Sequence, residues 1–123
     1  MNDHELLRYS KQIMLPQIDV EGQQKIIDST MLIIGMGGLG SPTALYLAAA
    51  GVGHLIIADF DQVELSNLQR QIIHRTADIG EDKVDSAKVK LLELNHNITV
   101  TVANEIMHSD NLASLIKDVD IVL

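Results

Sequence analysis

The chain has 123 residues, of which 46% are hydrophobic, and it carries a formal net charge of −8. This length suits one compact domain with a single core and is too short for two. The negative charge argues against a nucleic-acid-binding protein and against binding to anionic membranes, because both activities need a basic face.

The chain contains no cysteine, which excludes a disulfide framework, a thiolate zinc site and a cysteine nucleophile. The polar N-terminus has no apolar run typical of a signal peptide, and the apolar segment 45–52 is too short to span a bilayer. The five histidines show no metal-ligand spacing, so we expect no metal site among them. These features predict a soluble, cytoplasmic protein.

The first part of the chain is predicted to be helical. Apolar residues at helical spacing indicate a short helix over residues 2–12, with Asp3 as its cap. A second helix is predicted over residues 21–29, "EGQQKIIDS". These helices precede the first strand.

A strand, helix and strand follow in order. Residues 31–34, "MLII", are all apolar and predict a buried strand. A helix follows with Pro42 in its first turn, where the missing N–H does no harm, and it is expected to stop at Gly51. The segment "HLIIAD", residues 54–59, predicts a second strand that ends in Asp59.

The remaining elements continue this alternation. The segment "SNLQRQIIH" predicts a helical turn or loop over the top of the sheet, and a helix over residues 83–94 is predicted next. A strand at 98–103, a helix opened by Ser109 or Asp110, and a last strand at 120–123 complete the chain. The core face of the helix at 83–94 is expected to comprise Val84, Ala87, Leu91 and Leu94. This order predicts an α/β fold, a Rossmann-like parallel sheet with flanking helices, preceded by an N-terminal helical segment.

A glycine-rich loop, "GMGGLG" at residues 35–40, joins the first strand to its helix. It matches G-x-G-x-x-G in the context where that pattern binds nucleotides. Gly35 would allow the tight turn, Gly37 would let backbone approach a phosphate, and Gly40 would let the helix pack on the strand. The phosphate would lie at the helix N-terminus, and Asp59 is placed to accept from a ribose hydroxyl. This pattern suits NAD, FAD or ATP equally.

Positive charge distinguishes these ligands. No G-x-x-x-x-G-K-[ST] motif is present, so cations from elsewhere must help the loop to neutralise phosphate. A pyrophosphate on a helix N-terminus needs little such help, whereas a triphosphate under attack needs several positive charges. Arg70 and Lys83 are the candidates, and Lys83 in a first helical turn opposes the helix dipole unless an anion binds there.

Several segments together resemble one enzyme family. "RYSKQIML", "GMGGLGSP", "YLAAAGVG", "DFDQVELSNLQRQIIH" and "DIGEDKVDSAK" are similar to the ubiquitin-activating-type adenylyltransferases of the HesA/MoeB/ThiF family. The resemblance implies an enzyme that uses ATP and Mg²⁺ to adenylate the C-terminal glycine of a ubiquitin-like sulfur-carrier protein, with release of pyrophosphate. The carrier would serve thiamine or molybdopterin biosynthesis, and a homodimer is expected.

The resemblance also implies roles for individual residues. The nucleotide would be held by Gly35, Gly37, Gly38, Gly40, Asp59, Asp61, Asn67, Arg70 and Lys83, with Gln71 as a weaker candidate. The catalytic cations would be Arg70, Lys83 and Lys11. Lys11 stands where relatives have an arginine that contacts phosphates of the neighbouring subunit, and lysine keeps the charge but loses the bidentate geometry.

The resemblance covers a limited part of the family's usual length. Relatives continue with an aspartate for Mg²⁺ and a pair of zinc-binding CxxC motifs, and this chain has no residues for either. We therefore expect residues 1–123 to be the N-terminal part of an ATP-binding adenylyltransferase domain, truncated at the C-terminus, whose activity alone is open. The alternatives are an NAD- or FAD-dependent oxidoreductase, which leaves Arg70 and Lys83 without a role, and a non-catalytic nucleotide-binding fragment.

Overall fold

A parallel four-stranded sheet forms the centre of the molecule, and the computed structural model describes all 123 residues. The strand order is β3-β2-β1-β4, with every neighbouring pair parallel. The strands are β1 (Thr30–Ile34), β2 (His54–Ala58), β3 (Thr99–Ala103) and β4 (Ile121–Val122), and the helices are α1 (Asp3–Arg8), α2 (Ser10–Ile13), α3 (Asp19–Ile27), α4 (Gly40–Ala50), α5 (Lys83–Leu94) and α6 (Ser109–Leu115). Short 3₁₀ turns occupy Leu65–Asn67, Thr76–Asp78 and Ile116–Asp118. The predicted α/β fold is confirmed.

The core lies mainly on one face of the sheet. Side chains alternate between faces along a strand, so Ile33 and Leu32 of β1 belong to different clusters. The larger cluster packs the sheet against α4 and α5, and the smaller one contacts α6. Ile34 is 42% exposed, so the prediction that all of residues 31–34 are buried is wrong at the strand's carboxyl end. None of the helices is both long and apolar enough to cross a membrane.

The predicted N-terminal helix is interrupted at Tyr9, between α1 and α2. The Tyr9 ring is buried against Gly51, where an added Cβ would lie 2.6 Å from it, and the Asn95 amide donates to the Tyr9 hydroxyl at 2.8 Å. These tertiary contacts fix the residue outside helical geometry. The cap is Asn2 and not Asp3, because the side-chain Oδ1 of Asn2 accepts the N–H of Glu5 at 2.8 Å.

The later element boundaries are close to the prediction. α4 contains Pro42 in its first turn and ends at Gly51, which adopts φ 94°. α5 spans the predicted residues 83–94, and three of the four predicted core residues on it are fully buried. Leu94 is 42% exposed, so its assignment to the core is wrong.

Candidate functional site

The glycine loop lies at the carboxyl ends of the strands. It follows β1 directly, and Asp59 follows β2 beside it. The chain runs from β1 through β2 to β3 on one side and then returns to pair β4 with the other side of β1. Ligands of open parallel sheets bind at such a reversal, outside the carboxyl ends of the strands.

Two glycines of the loop are required by its geometry. Gly35 has φ 99°, a left-handed conformation that side chains disfavour. A Cβ on Gly40 would lie 1.7 Å from the carbonyl oxygen of Gly35, so only glycine lets α4 approach the strand this closely. The predicted reasons for these two positions are confirmed. At Gly37 a Cβ would make only an ordinary contact, 3.7 Å from the Gln71 amide nitrogen.

The N-terminus of α4 presents backbone donors without acceptors. The N–H groups of Gly37, Gly38, Leu39 and Gly40 form no backbone hydrogen bonds. No side chain caps the helix either. Unpaired amides and the positive end of the helix dipole together favour an anion at this position.

Asp59 holds the loop in place. Its Oδ2 accepts the N–H of Met36 at 2.7 Å, and its Oδ1 accepts the N–H of Asp61 at 2.9 Å. Beside it lies a cavity of about 230 Å³ with mainly apolar walls, which include Phe60 and Ile106. An apolar cavity with a few polar groups suits a small organic ligand such as a nucleoside. The ribose contact of Asp59 stays a prediction.

Arg70 lies over the same loop. Its Nη1 atom is 3.2 Å from the position that a Cβ on Gly38 would occupy, and its side chain forms no ion pair. The turn that carries it is held by Asn67, whose Oδ1 accepts the N–H of Glu64 and whose carbonyl accepts the N–H groups of Arg70 and Gln71. Asn67 is buried and makes these hydrogen bonds within the chain, so its role in the structure is to shape the turn.

Lys83 is a buried cation at the start of α5. The Lys83 ammonium lies 4.0 Å from Oδ2 of Asp61, and the Lys83 backbone N–H donates to the Asp61 backbone carbonyl at 2.9 Å. Only Asp61, which is itself exposed, balances this charge. Since a helix N-terminus is also positive, the surroundings of Lys83 favour a further anion.

Lys11 is placed away from the other candidates. It lies on α2, whose next residue, Gln12, donates to the carbonyl of Ala50 at the C-terminal end of α4. The glycine loop lies at the other end of this helix, about 16 Å away for 11 residues at 1.5 Å each. The structure therefore does not bring Lys11 to the glycine loop of its own chain.

Four polar residues beneath the loop had no functional assignment, or only a weak one, from the sequence. Gln71 is 1% exposed, and its Oε1 atom has no hydrogen-bond partner. His74, Ser86 and Asp78 form a buried chain of hydrogen bonds that ends on the carbonyl of Met36. The only signal in the sequence is that Gln71 and His74 lie close to Arg70 along the chain.

The buried position changes the titration of two of these groups. Burial lowers the pKa of His74 below its ordinary 6.5, an effect that the nearby Lys83 ammonium reinforces and that the Met36 carbonyl, Asp78 and Asp59 partly offset. Hydrogen bonds from the Arg75 side chain hold the pKa of Asp78 below its ordinary 3.8. His74 is therefore neutral and Asp78 charged at neutral pH.

No group of three or more His, Asp or Glu side chains in the chain could together hold a metal ion. The carboxylates nearest to the loop, Asp59 and Asp61, are already engaged with backbone amides and with Lys83, respectively. The polar groups around the loop are thus mainly donors and cations, which suit an anionic ligand.

Comparison with known proteins identifies the family. The model of the ThiF family matches residues 9–123. The chain belongs to the ThiF family. It is 49% identical over 123 residues to the sulfur carrier protein ThiS adenylyltransferase of Escherichia coli and 47% identical to the molybdopterin-synthase adenylyltransferase of the same organism, covering 49% of each. This ThiF-family chain spans about half the length of these relatives.

A solved structure gives the same fold. The ThiF-family chain matches Escherichia coli tRNA N6-threonylcarbamoyladenosine dehydratase, TcdA, in complex with ATP, with a TM-score of 0.86 and 27% identity over 94% of this chain and 46% of that one. The likeness confirms the Rossmann-like architecture.

Proposed function

We propose that the chain forms the ATP-binding part of an adenylyltransferase that activates the C-terminal glycine of a ubiquitin-like sulfur-carrier protein. A carboxylate oxygen of the carrier would attack the α-phosphorus of ATP, forming a new P–O bond. The bond to the bridging oxygen would break, so that pyrophosphate leaves and a carrier acyl-adenylate remains. The names of the two Escherichia coli relatives support this reaction, and the ATP complex of TcdA supports the nucleotide.

The observation that carries the proposal is the position of Arg70 over a glycine loop in which four backbone N–H groups have no hydrogen-bond acceptor. The loop amides and the α4 dipole would bind phosphate oxygens, and the guanidinium would face them from the other side. Lys83 would add a second positive charge from the start of α5. An anionic carboxylate can approach a polyphosphate only where such charges attract both, and the same charges stabilise the leaving pyrophosphate.

The remaining site residues take supporting roles in this proposal. Asp59 would hold the ribose while bracing Met36, with the nucleoside in the adjoining apolar cavity. Asn67 and Asp61 would act mainly by placing Arg70 and Lys83. ATP requires Mg²⁺ in such reactions, but we assign no ligand for it, or for zinc, in this chain because no suitable group of side chains converges.

We also propose a homodimer in which Lys11 contacts the phosphates of the partner's site. The support is its position at the far end of α4 from its own glycine loop. The pathway, thiamine or molybdopterin, stays open because the two relatives are almost equally similar. A cytoplasmic location stays a prediction.

Calorimetric titration of the chain with Mg·ATP, and in parallel with NAD, tests the proposal. We expect ATP to bind and Arg70→Ala to weaken its binding by about tenfold or more, because a charged hydrogen bond contributes about 1.5–3 kcal/mol. Lys117→Ala is the control, since Lys117 is exposed and forms no ion pair. Binding of NAD in place of ATP would favour an oxidoreductase, and binding of neither would contradict the proposal for this chain.

A further inference from the structure

A buried chain of hydrogen bonds supports the glycine loop from below. His74 Nε2 lies 3.1 Å from the carbonyl oxygen of Met36, and His74 Nδ1 lies 2.8 Å from the Ser86 hydroxyl. The hydroxyl in turn lies 3.1 Å from Oδ2 of Asp78. Arg75 anchors Asp78 through its backbone N–H, at 2.8 Å, and through two side-chain nitrogens. His74, Ser86 and Asp78 are all buried.

The partners of His74 fix which ring nitrogen carries its proton. The Met36 carbonyl can only accept, so Nε2 must be the protonated nitrogen. In the neutral ring Nδ1 is then an acceptor, and the Ser86 hydroxyl is its donor. The Ser86 hydroxyl has a single proton, for which Nδ1 and Oδ2 of Asp78 compete; while the ring is neutral the proton goes to Nδ1, and Asp78 keeps its three hydrogen bonds from Arg75. Ser86 lies between His74 and Asp78 and is buried, so this arrangement orients the imidazole and does not activate a nucleophile.

The Met36 carbonyl is the part of the loop that this chain holds. Its oxygen accepts from His74 and also from the Ser41 hydroxyl, at 3.1 Å each. The peptide bond that follows is planar and trans, so the Gly37 N–H points opposite to the Met36 carbonyl. The carbonyl points inward to His74, and the Gly37 N–H therefore points away from the core. It is one of the loop amides without a backbone acceptor.

Without the two hydrogen bonds to the Met36 carbonyl, from His74 and from Ser41, this peptide group would be easy to rotate. Met36 lies between Gly35 and Gly37, and glycine permits both signs of φ. A rotated peptide would present a carbonyl oxygen to the bound anion in place of an N–H donor. Asp59 restrains only the preceding peptide, through the Met36 N–H.

We propose that His74 is a positioning residue that holds the Met36–Gly37 peptide through the Met36 carbonyl and so aims the Gly37 N–H at the bound phosphate. The Met36 carbonyl sets the tautomer of the ring, and Ser86 holds its orientation through Nδ1. The phosphate in this statement rests on the proposed ATP binding, whereas the restraint on the peptide does not.

Two isosteres of His74 separate its two contacts. The side-chain amide nitrogen of His74→Gln takes the place of Nε2 and keeps the donor to Met36. His74→Asn ends at the position of Nδ1, so it keeps the contact with Ser86 and loses the donor. We expect the ATP dissociation constant of His74→Gln to stay within about twofold of the wild-type value, and that of His74→Asn to rise about tenfold, since one hydrogen bond is lost and the loop loosens.

Backbone NMR of the ligand-free chain provides the second measurement. The amide resonance of Gly37 and the carbonyl resonance of Met36 should be preserved in His74→Gln and displaced or broadened in His74→Asn. This measurement needs no nucleotide, so the positioning role can hold even if ATP binding fails. Equal effects of the two substitutions on these resonances, or unchanged resonances in both, would overturn the inference. If both His74 variants fail to fold, Ser86→Ala, which removes only a hydroxyl, replaces them. This variant should displace the Gly37 amide and Met36 carbonyl resonances, and unchanged resonances would overturn the inference.

Discussion

At the scale of single residues, the buried His74 and Asp78 connect stability to pH. Burial lowers the pKa of His74 in the folded chain and the Lys83 ammonium lowers it further, whereas the Met36 carbonyl, Asp78 and Asp59 partly offset this shift. Asp78 resists protonation for a different reason, because Arg75 donates hydrogen bonds to its charged form. Both pKa values are lowered on folding, so both groups make the unfolded chain bind more protons than the folded one.

This difference predicts that the free energy of unfolding decreases as pH is lowered, in two separate pH windows. As pH falls below 6.5, His74 is protonated first in the unfolded chain, and the free energy of unfolding should decrease until the folded pKa is reached. A second decrease should begin below pH 3.8, when Asp78 is protonated first in the unfolded chain. Denaturant unfolding at a series of pH values measures both. His74→Gln should flatten the first window alone, and an unchanged slope in that variant would rule out His74 as its source.

At the scale of elements, the glycine loop contains positions with different physical reasons for the same residue. Gly40 is glycine because the backbone of Gly35 occupies the space of a side chain. Gly38 borders only the far end of the flexible Arg70 side chain, at 3.2 Å, and Gly37 has ordinary contact distances. The G-x-G-x-x-G pattern does not distinguish these reasons, although they have different consequences.

Alanine at these three positions should separate folding from binding. Gly40→Ala should lower the free energy of unfolding by about 1–3 kcal/mol or more, because helix and strand must move apart. Gly38→Ala should leave stability within about 1 kcal/mol yet weaken ATP binding, because its methyl group displaces the Arg70 guanidinium. Gly37→Ala is the control for stability. Thermal and denaturant unfolding measure the stability of the three variants, and ATP titration of the folded variants measures binding. A Gly40→Ala variant as stable as Gly37→Ala would contradict this view.

The elements also show what the sequence could predict. The bounds of α4 and α5 follow from local signals, Pro42 and Gly51 for one and apolar spacing for the other. The break at Tyr9 has no local signal, because it depends on a contact with Gly51 far along the chain. The support of Met36 by His74 was missed for the same reason. Arg70 is predicted to serve the loop from the need for positive charge and from a family motif, and neither reveals how Asn67 holds its turn.

At the scale of the whole molecule, the proposed polyphosphate site requires an acidic chain to gather its few cations at that site. The net charge is −8, with only nine lysine and arginine residues. Arg70 lies against the glycine loop and Lys83 lies beside Asp61, and neither cation has a buried acidic partner. Lys11 lies at the opposite end of α4, exposed and without an ion pair. A role for Lys11 at a phosphate therefore requires a second copy of the chain.

This requirement predicts complementation between two inactive variants. In the proposed homodimer, Lys11→Ala removes the cation that each copy supplies to its partner, and Arg70→Ala removes one that each copy supplies to itself. Each variant alone should lose carrier-dependent ATP–pyrophosphate exchange. In an equimolar mixture of exchanging subunits, half of the dimers are mixed and each of these has one intact site, so exchange should recover to about one quarter of the wild-type rate. Lys117→Ala mixed with Arg70→Ala is the control, in which every Lys117→Ala chain keeps its site and recovery should reach about one half. A Lys11→Ala mixture no more active than its components would place Lys11 outside the partner's site, because two-fold symmetry otherwise requires one intact site in every mixed dimer.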